Sequence, residues 1–117
     1  MATMSKIMLS ESPDGDGIEV TTASPIDGSD TLIHTAVSGT TDTHLVTLWC
    51  YNDDTAARVL HLKWGDGGDS IKQTIPPQAG LVPVTYKLPI RDGNTITASA
   101  SAVNMLWIYG EAVLIDV

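Results

Sequence analysis

The sequence predicts an all-β fold, an antiparallel β-sandwich or jelly roll of about eight strands, and three observations predict it. Short segments space their apolar residues at period two; they are rich in β-branched side chains; and Gly, Pro, Asn and Asp punctuate the chain between them. No segment carries a convincing helical stripe, so no helix is at hand to cover a sheet. The apolar faces must then bury on one another, and a small β-barrel is the alternative way to do so.

The 117 residues, 43% of them apolar, suit a single domain able to bury about 65% of the surface its unfolded chain exposes. Fourteen acidic residues against six basic ones leave a formal charge of −8. That charge repels phosphate backbones and anionic lipid and offers no basic stripe, so neither nucleic acid nor a membrane is an expected partner. The N-terminus lacks the basic start and long apolar core of a secretory leader, and no run approaches the ~18 apolar residues of a membrane-spanning helix. The expectation is a protein made soluble in a cytoplasm.

Taken in order, residues 1–16 differ from the rest: Ser, Pro, Asp and Gly follow a short apolar piece, "KIML". They read as a flexible N-terminal arm, with residues 17–117 as the β domain. The strand candidates are "GIEVTTA" (17–23), "TLIHTAV" (31–37), "HLVTLWCYN" (44–52), "ARVLHLKW" (57–64), "SIKQTI" (70–75), "LVPVTYKL" (81–88), "NTITASAS" (94–101) and "NMLWIYGEAVLIDV" (104–117). In "HLVTLWCYN", Val46, Leu48 and Cys50 fall on one face and Leu45, Thr47, Trp49 and Tyr51 on the other. Large side chains on both faces predict a central strand covered on two sides. "YNDDTAAR" reads as a hairpin loop to the next strand. Pro76 and Pro77 stop one strand, and Gly80 precedes the restart of another. The final segment is too long and apolar for a simple edge strand, and Gly110 is placed for a bulge or a bend that carries it from one sheet to another.

Candidates for chemistry are few. Cys50 is the only cysteine, which excludes an intrachain disulfide and a Cys-based zinc site, and its apolar neighbours predict a buried thiol. "GDGGDS" (65–70) lacks the Lys and the following helix of a phosphate-binding loop and leads instead into a strand. Asp66 and Asp69, like Asp14 and Asp16, are hard oxygen donors on turns, but no EF-hand or tandem calcium repeat surrounds them, so a Gly-rich turn is the plainer reading. His34, His44 and His61 lie on separate strands without the short spacing of a two-His metal motif. Asp53 and Asp54 are adjacent carboxylates in a turn, where solvation is the ordinary role. No nucleophile elbow occurs. The expectation is a non-enzymatic protein with no catalytic residue, metal or cofactor. Trp49, Trp64 and Trp107 lie in strongly apolar strands, where core or subunit packing is expected, although exposed tryptophans on a β-sandwich can also stack sugars.

The run "TLIHTAVSGTTDTHLVTLWCYNDDTAARVLHLKWG", the "IPPQAGLVPV" that follows and the late Gly in "WIYGEAVLI" together resemble small all-β virion proteins of tailed bacteriophages, over roughly residues 31–117. Within that group the resemblance is to head decoration, or cement, proteins. It implies a homotrimer bound to the major capsid protein on the outer surface of the expanded head. Under it, Lys6, Ile7, Met8 and Leu9 of the arm are the expected capsid contacts, adding to a strand edge by backbone pairing. A head-fibre base, a tail component and a carbohydrate-binding β-sandwich module are the alternatives.

Overall fold

The computed structural model describes residues 3–23, 30–65 and 70–116. Its strands are β1 (Thr3–Met8), β2 (Ile18–Glu19), β3 (Thr31–Thr35), β4 (Thr43–Asn52), β5 (Arg58–Trp64), β6 (Ser70–Ile75), β7 (Val82–Ile90), β8 (Thr95–Ala100) and β9 (Leu106–Asp116). Sheet A runs β1-β9-β4-β7 with β2 also beside β9, and sheet B runs β3-β8-β5-β6.

The winding follows from the pairings. β1 and β2 lie along one edge of β9, β1 against Glu111–Asp116 and β2 against Trp107 and Ile108, so together they act as one broken strand. The chain therefore pairs first strand with last, then β3 with β8, β4 with β7 and β5 with β6, every pair antiparallel. This is one long hairpin folded over on itself, and the folding adds the β4–β9 and β5–β8 ladders that complete the two sheets. A sandwich with jelly-roll strand order results, and its sheets keep free edges where a barrel would have none.

Between the sheets lies a single core. Val46, Leu48 and Cys50 of β4 and Leu106, Ile108 and Ala112 of β9 meet Leu60 and Leu62 of β5, Ile75 of β6 and Ile96, Ala98 and Ala100 of β8, all buried. These are the inward positions of the period-two pattern, which is why the strands were legible.

Four local expectations change. "YNDDTAAR" does not close a hairpin: β4 belongs to sheet A and β5 to sheet B, so residues 53–57 arch between the layers. The buried Asn52 shapes that arch, donating from Nδ2 to the carbonyls of Ala56 and Ile75 (both 3.0 Å) and accepting from the Asp54 amide (2.9 Å). Secondly, the described part of the 1–16 arm is not separate from the domain. Residues 3–8 pair in register with β9, and Leu9 is 1% exposed within the core. The apolar piece was too short to show alternation, but a single large residue at its end is enough to anchor it.

Thirdly, Gly110 neither makes a bulge in β9 nor sends it to another sheet. β9 keeps register with β4 from Thr43↔Ile115 to Asn52↔Leu106 without a shift, and a Cβ at Gly110 would sit 2.4 Å from the Thr47 carbonyl oxygen. Close approach of two central strands explains the glycine. The segment that does change sheets is the one after β2: Val20 N donates to Leu106 O in sheet A, and Ala100 N of sheet B donates to Thr22 O. Finally, β4 is central as expected, between β9 and β7, but sheet B covers only one of its faces.

Candidate docking face

The uncovered side of sheet A is built by two short repeats of one pattern, Trp-Cys-Tyr at 49–51 and Trp-Ile-Tyr at 107–109. Alternation puts Cys50 and Ile108 in the core and sends Trp49, Tyr51, Trp107 and Tyr109 outward. The β4–β9 register then sets Tyr51 opposite Trp107 and Trp49 opposite Tyr109. Each aromatic faces the other kind across the ladder, the arrangement in which cross-strand pairs shelter each other. All four are half-buried.

The apolar surface continues along the sheet. Leu45 lies opposite Val113 and Thr43 opposite Ile115, and Met4 of β1 lies opposite Ile115 from the other side. Pro83 and Pro89 of β7 face Trp49 and Leu45. Met4 and Met8 stand 73% and 52% exposed, so flexible thioethers border a rigid aromatic centre. The centre is held firmly. A Cβ at Gly17 would meet the Tyr109 ring at 2.6 Å, so that ring lies directly against the backbone before β2. The Tyr51 hydroxyl donates to Asp53 (3.3 Å), and desolvation, with the neighbouring Asp53 charge, pushes its pKa above the usual tyrosine value. Few charges interrupt the face: Glu19 lies opposite Trp107, and Lys6 makes a 3.3 Å ion pair with Glu111.

Of the expected partner contacts, Lys6 and Met8 are exposed on this side of β1, Ile7 turns toward the core and is partly buried, and Leu9 is withdrawn into it. Leu9 is therefore a core residue in this fold, and the exposed part of "KIML" is Lys6 and Met8. The outer edge of β1 pairs with no strand among the described residues. The opposite edge, β7, is blunted by Pro83 and Pro89 and by a register shift near Lys87, which takes a positive φ of 50°.

Trp64, at the end of β5, packs partly against the core and donates from Nε1 to Pro89 O (3.0 Å), joining the two sheets. Trp49 and Trp107 are thus the pair on the open face. The aromatic spacing was present in the sequence, but only the β4–β9 register joins the two halves of the cluster.

The other candidates resolve individually. Cys50 is fully buried, and desolvation pushes its thiol up to about 12, which makes it inert packing. Asp54 ion-pairs with Arg58 at 2.5 Å, and hydrogen bonding to that guanidinium holds its carboxyl below the usual range. His34 and His44 do come together, Nε2 to Nδ1 at 2.7 Å, while His61 lies on the outward side of β5 opposite Lys72. Among the described residues no three His, Cys, Asp or Glu side chains converge as metal ligands. Most of "GDGGDS" (66–69) lies outside the described residues.

The histidine pair has one consistent tautomer. Ser10 N donates to His34 Nδ1 (2.9 Å), so the His34 proton sits on Nε2 and is given to His44 Nδ1, leaving His44 protonated on Nε2. That tautomer gives up the longer Val37 N–H→His44 Nε2 contact (3.4 Å), which needs an unprotonated Nε2, in favour of the two shorter bonds. Ser10 Oγ also accepts from Thr35 N (2.8 Å), so Ser10 is fastened twice to β3. Burial, reinforced by His44, lowers His34 to about 4, and burial lowers His44 against the opposing pull of Asp42.

No protein-family profile matches the chain, and no curated protein matches it either.

Proposed function

We propose that this chain is a non-enzymatic structural protein of a bacteriophage virion, a head decoration protein that seats on the major capsid protein from outside. The observation that carries the reading is the outer face of sheet A: two tryptophans, two tyrosines and a border of Met, Val, Ile, Leu and Pro on an otherwise acidic jelly roll. Such a face lowers its free energy when another protein covers it. Aromatic anchors that lose little rotamer freedom are well suited to a docking centre. The strand order is one that viral shell proteins use repeatedly, and that support is by analogy of fold alone.

In this reading the aromatic centre docks, while Lys6 and Met8 extend the contact to the free edge of β1, where a strand of the shell can add by backbone pairing. A homotrimer would multiply each contact, because the second and third subunits bind at high effective concentration once the first is seated. The charge of −8 keeps unassembled copies apart and directs them away from packaged nucleic acid.

The test is binding to expanded empty heads. The protein should bind saturably and raise the temperature at which the heads open. Replacing Trp49 and Trp107 together by Ser should weaken binding by about a hundredfold or more, in line with the loss of two buried anchors. No binding by the intact protein would refute the reading, and undiminished binding by the double variant would remove the face from it.

A further inference from the structure

A second feature lies beyond the Trp49–Trp107 centre, at one end of the sandwich. An open cleft of about 550 Å³ lies at the end of the sandwich where β5 and β7 finish and β4 and β8 begin. Its size is that of a small-ligand site. Trp64 supplies an aromatic wall, already oriented by its bond to Pro89 O, which also lines the cleft. Arg91 and Asn94 form the polar rim.

Both rim residues are set by one turn. Asp92 and Gly93 have φ of 64° and 72°, and Asn94 N donates to Arg91 O at 3.3 Å, so Arg91 and Asn94 are the outer positions of a tight turn with left-handed centre. That turn is tied to the 36–37 backbone by Ala36 N→Asn94 O and Gly93 N→Val37 O, both 3.0 Å. Arg91 spends one guanidinium N–H on Thr40 O (2.8 Å), which holds the side chain, and among the described residues its other donors remain available. The described lining contains one cation and no carboxylate, in a chain with fourteen acidic residues and six basic ones.

A fixed indole beside a tethered guanidinium, an amide and the Thr43 hydroxyl suits a ligand with an apolar ring face, several hydroxyls and one negative charge. The geometry points to a binding site for a saccharide unit that carries a carboxylate. Nucleic acid would bring many phosphates to a chain of net charge −8, whereas a single carboxylate meets Arg91 without that repulsion. The site adjoins the far end of the docking face, sharing Thr43 and Pro89 with its border, but Trp64, Arg91 and Asn94 belong to the cleft and not to that face.

Amide NMR of the whole chain, titrated with glucuronate, glucose and acetate in turn, tests this. Glucuronate should shift the Trp64 indole N–H and the Asn94 amides, binding about tenfold more tightly than glucose, and acetate alone should leave the indole unmoved. Arg91→Gln should abolish the preference for the acid while the rest of the spectrum stays in place, and Asn94→Ala should weaken both sugars. The proposal is overturned if the sugars leave the cleft signals unchanged, if acetate reproduces the glucuronate shifts, or if the Arg91→Gln variant keeps the preference. Binding of Arg91→Gln to expanded heads should equal that of the unaltered protein, which separates this site from the docking reading.

Discussion

The outward faces of the two sheets are made by the same alternation and end in opposite chemistry. On sheet B the outward positions that reach the surface are Val59, His61 and Lys63 of β5, Lys72 and Thr74 of β6, and Thr95 and Thr97 of β8, while Ser99 on the same side is fully buried. Hydroxyls and charges there meet water at little cost. On sheet A the corresponding positions of β4 and β9 are Leu45, Trp49, Tyr51, Trp107, Tyr109, Val113 and Ile115, with Thr43, Thr47 and Glu111 the polar ones among them. A sandwich needs one apolar face per sheet to make its core. Sheet A has two, and in the proposed reading the surplus serves assembly.

The comparison can be broken most severely through Gly110, which lets β4 and β9 approach closely enough to set the aromatic pairs. In Gly110→Ala the new methyl would meet the Thr47 carbonyl oxygen at 2.4 Å and Leu48 Cδ2 at 2.8 Å, and the backbone oxygen cannot move aside without shifting β4. Urea unfolding should show a loss of about 3 kcal/mol. A loss below about 0.5 kcal/mol would mean that the ladder relaxes and that the aromatic register is not held by this contact.

A sharper contrast comes from matched substitutions on the two faces. Trp107→Ser on sheet A should cost head binding about tenfold or more, whereas Thr97→Ser on sheet B should leave it within about twofold, with both proteins still folded. Equal effects would abolish the distinction between the faces.

A smaller effect is expected from pH, through the histidine pair that fastens Ser10 to β3. The folded chain holds His34 near 4 against 6.5 when unfolded, so between those values the unfolded state binds the proton that the folded state refuses. This contribution is complete above pH 6.5 and is lost as the pH falls toward 4. Protonating either ring also breaks a hydrogen bond, at His34 Nδ1 or at His44 Nδ1. Thermal scans should show the melting temperature falling by about 5 °C or more across that window, with β1 losing amide-exchange protection before β4. A flat profile would show that the pair is not buried neutral.

The least effect should come from Lys6→Ala. Its ion pair with Glu111 is on the surface, with the Lys6 side chain 68% exposed, so stability should change by less than about 0.5 kcal/mol. Head binding should fall measurably if the β1 edge contributes to docking. Unchanged binding would confine the contact to the aromatic centre.

Much of the fold could be read from the residues because burial and alternation report the same thing. The limits of β6 coincide with "SIKQTI", and Pro76 and Pro77 end that strand because each removes a backbone donor. β1 was missed because one of its faces is exposed throughout and the only core residue, Leu9, lies beyond its end. The sequence does not distinguish the arch at 53–57 from a hairpin, because Asn and Asp favour turns of either kind. Whether the chain returns within a sheet or crosses to the other depends on which distant strand takes the next ladder position.

The same division holds for the proposed sites. Composition and period-two spacing were enough to predict an all-β sandwich, a buried Cys50 and a face of the 44–52 strand that carries Trp49 and Tyr51 opposite Cys50, because these follow from local geometry and the cost of wetting apolar groups. The tertiary structure alone decided that Trp49 meets Tyr109, that His34 meets His44, and that Trp64, Arg91 and Asn94 share one cleft. Each of those contacts joins strands or turns far apart in the chain, and their register is settled only when the hairpin is wound into two sheets with one shared core.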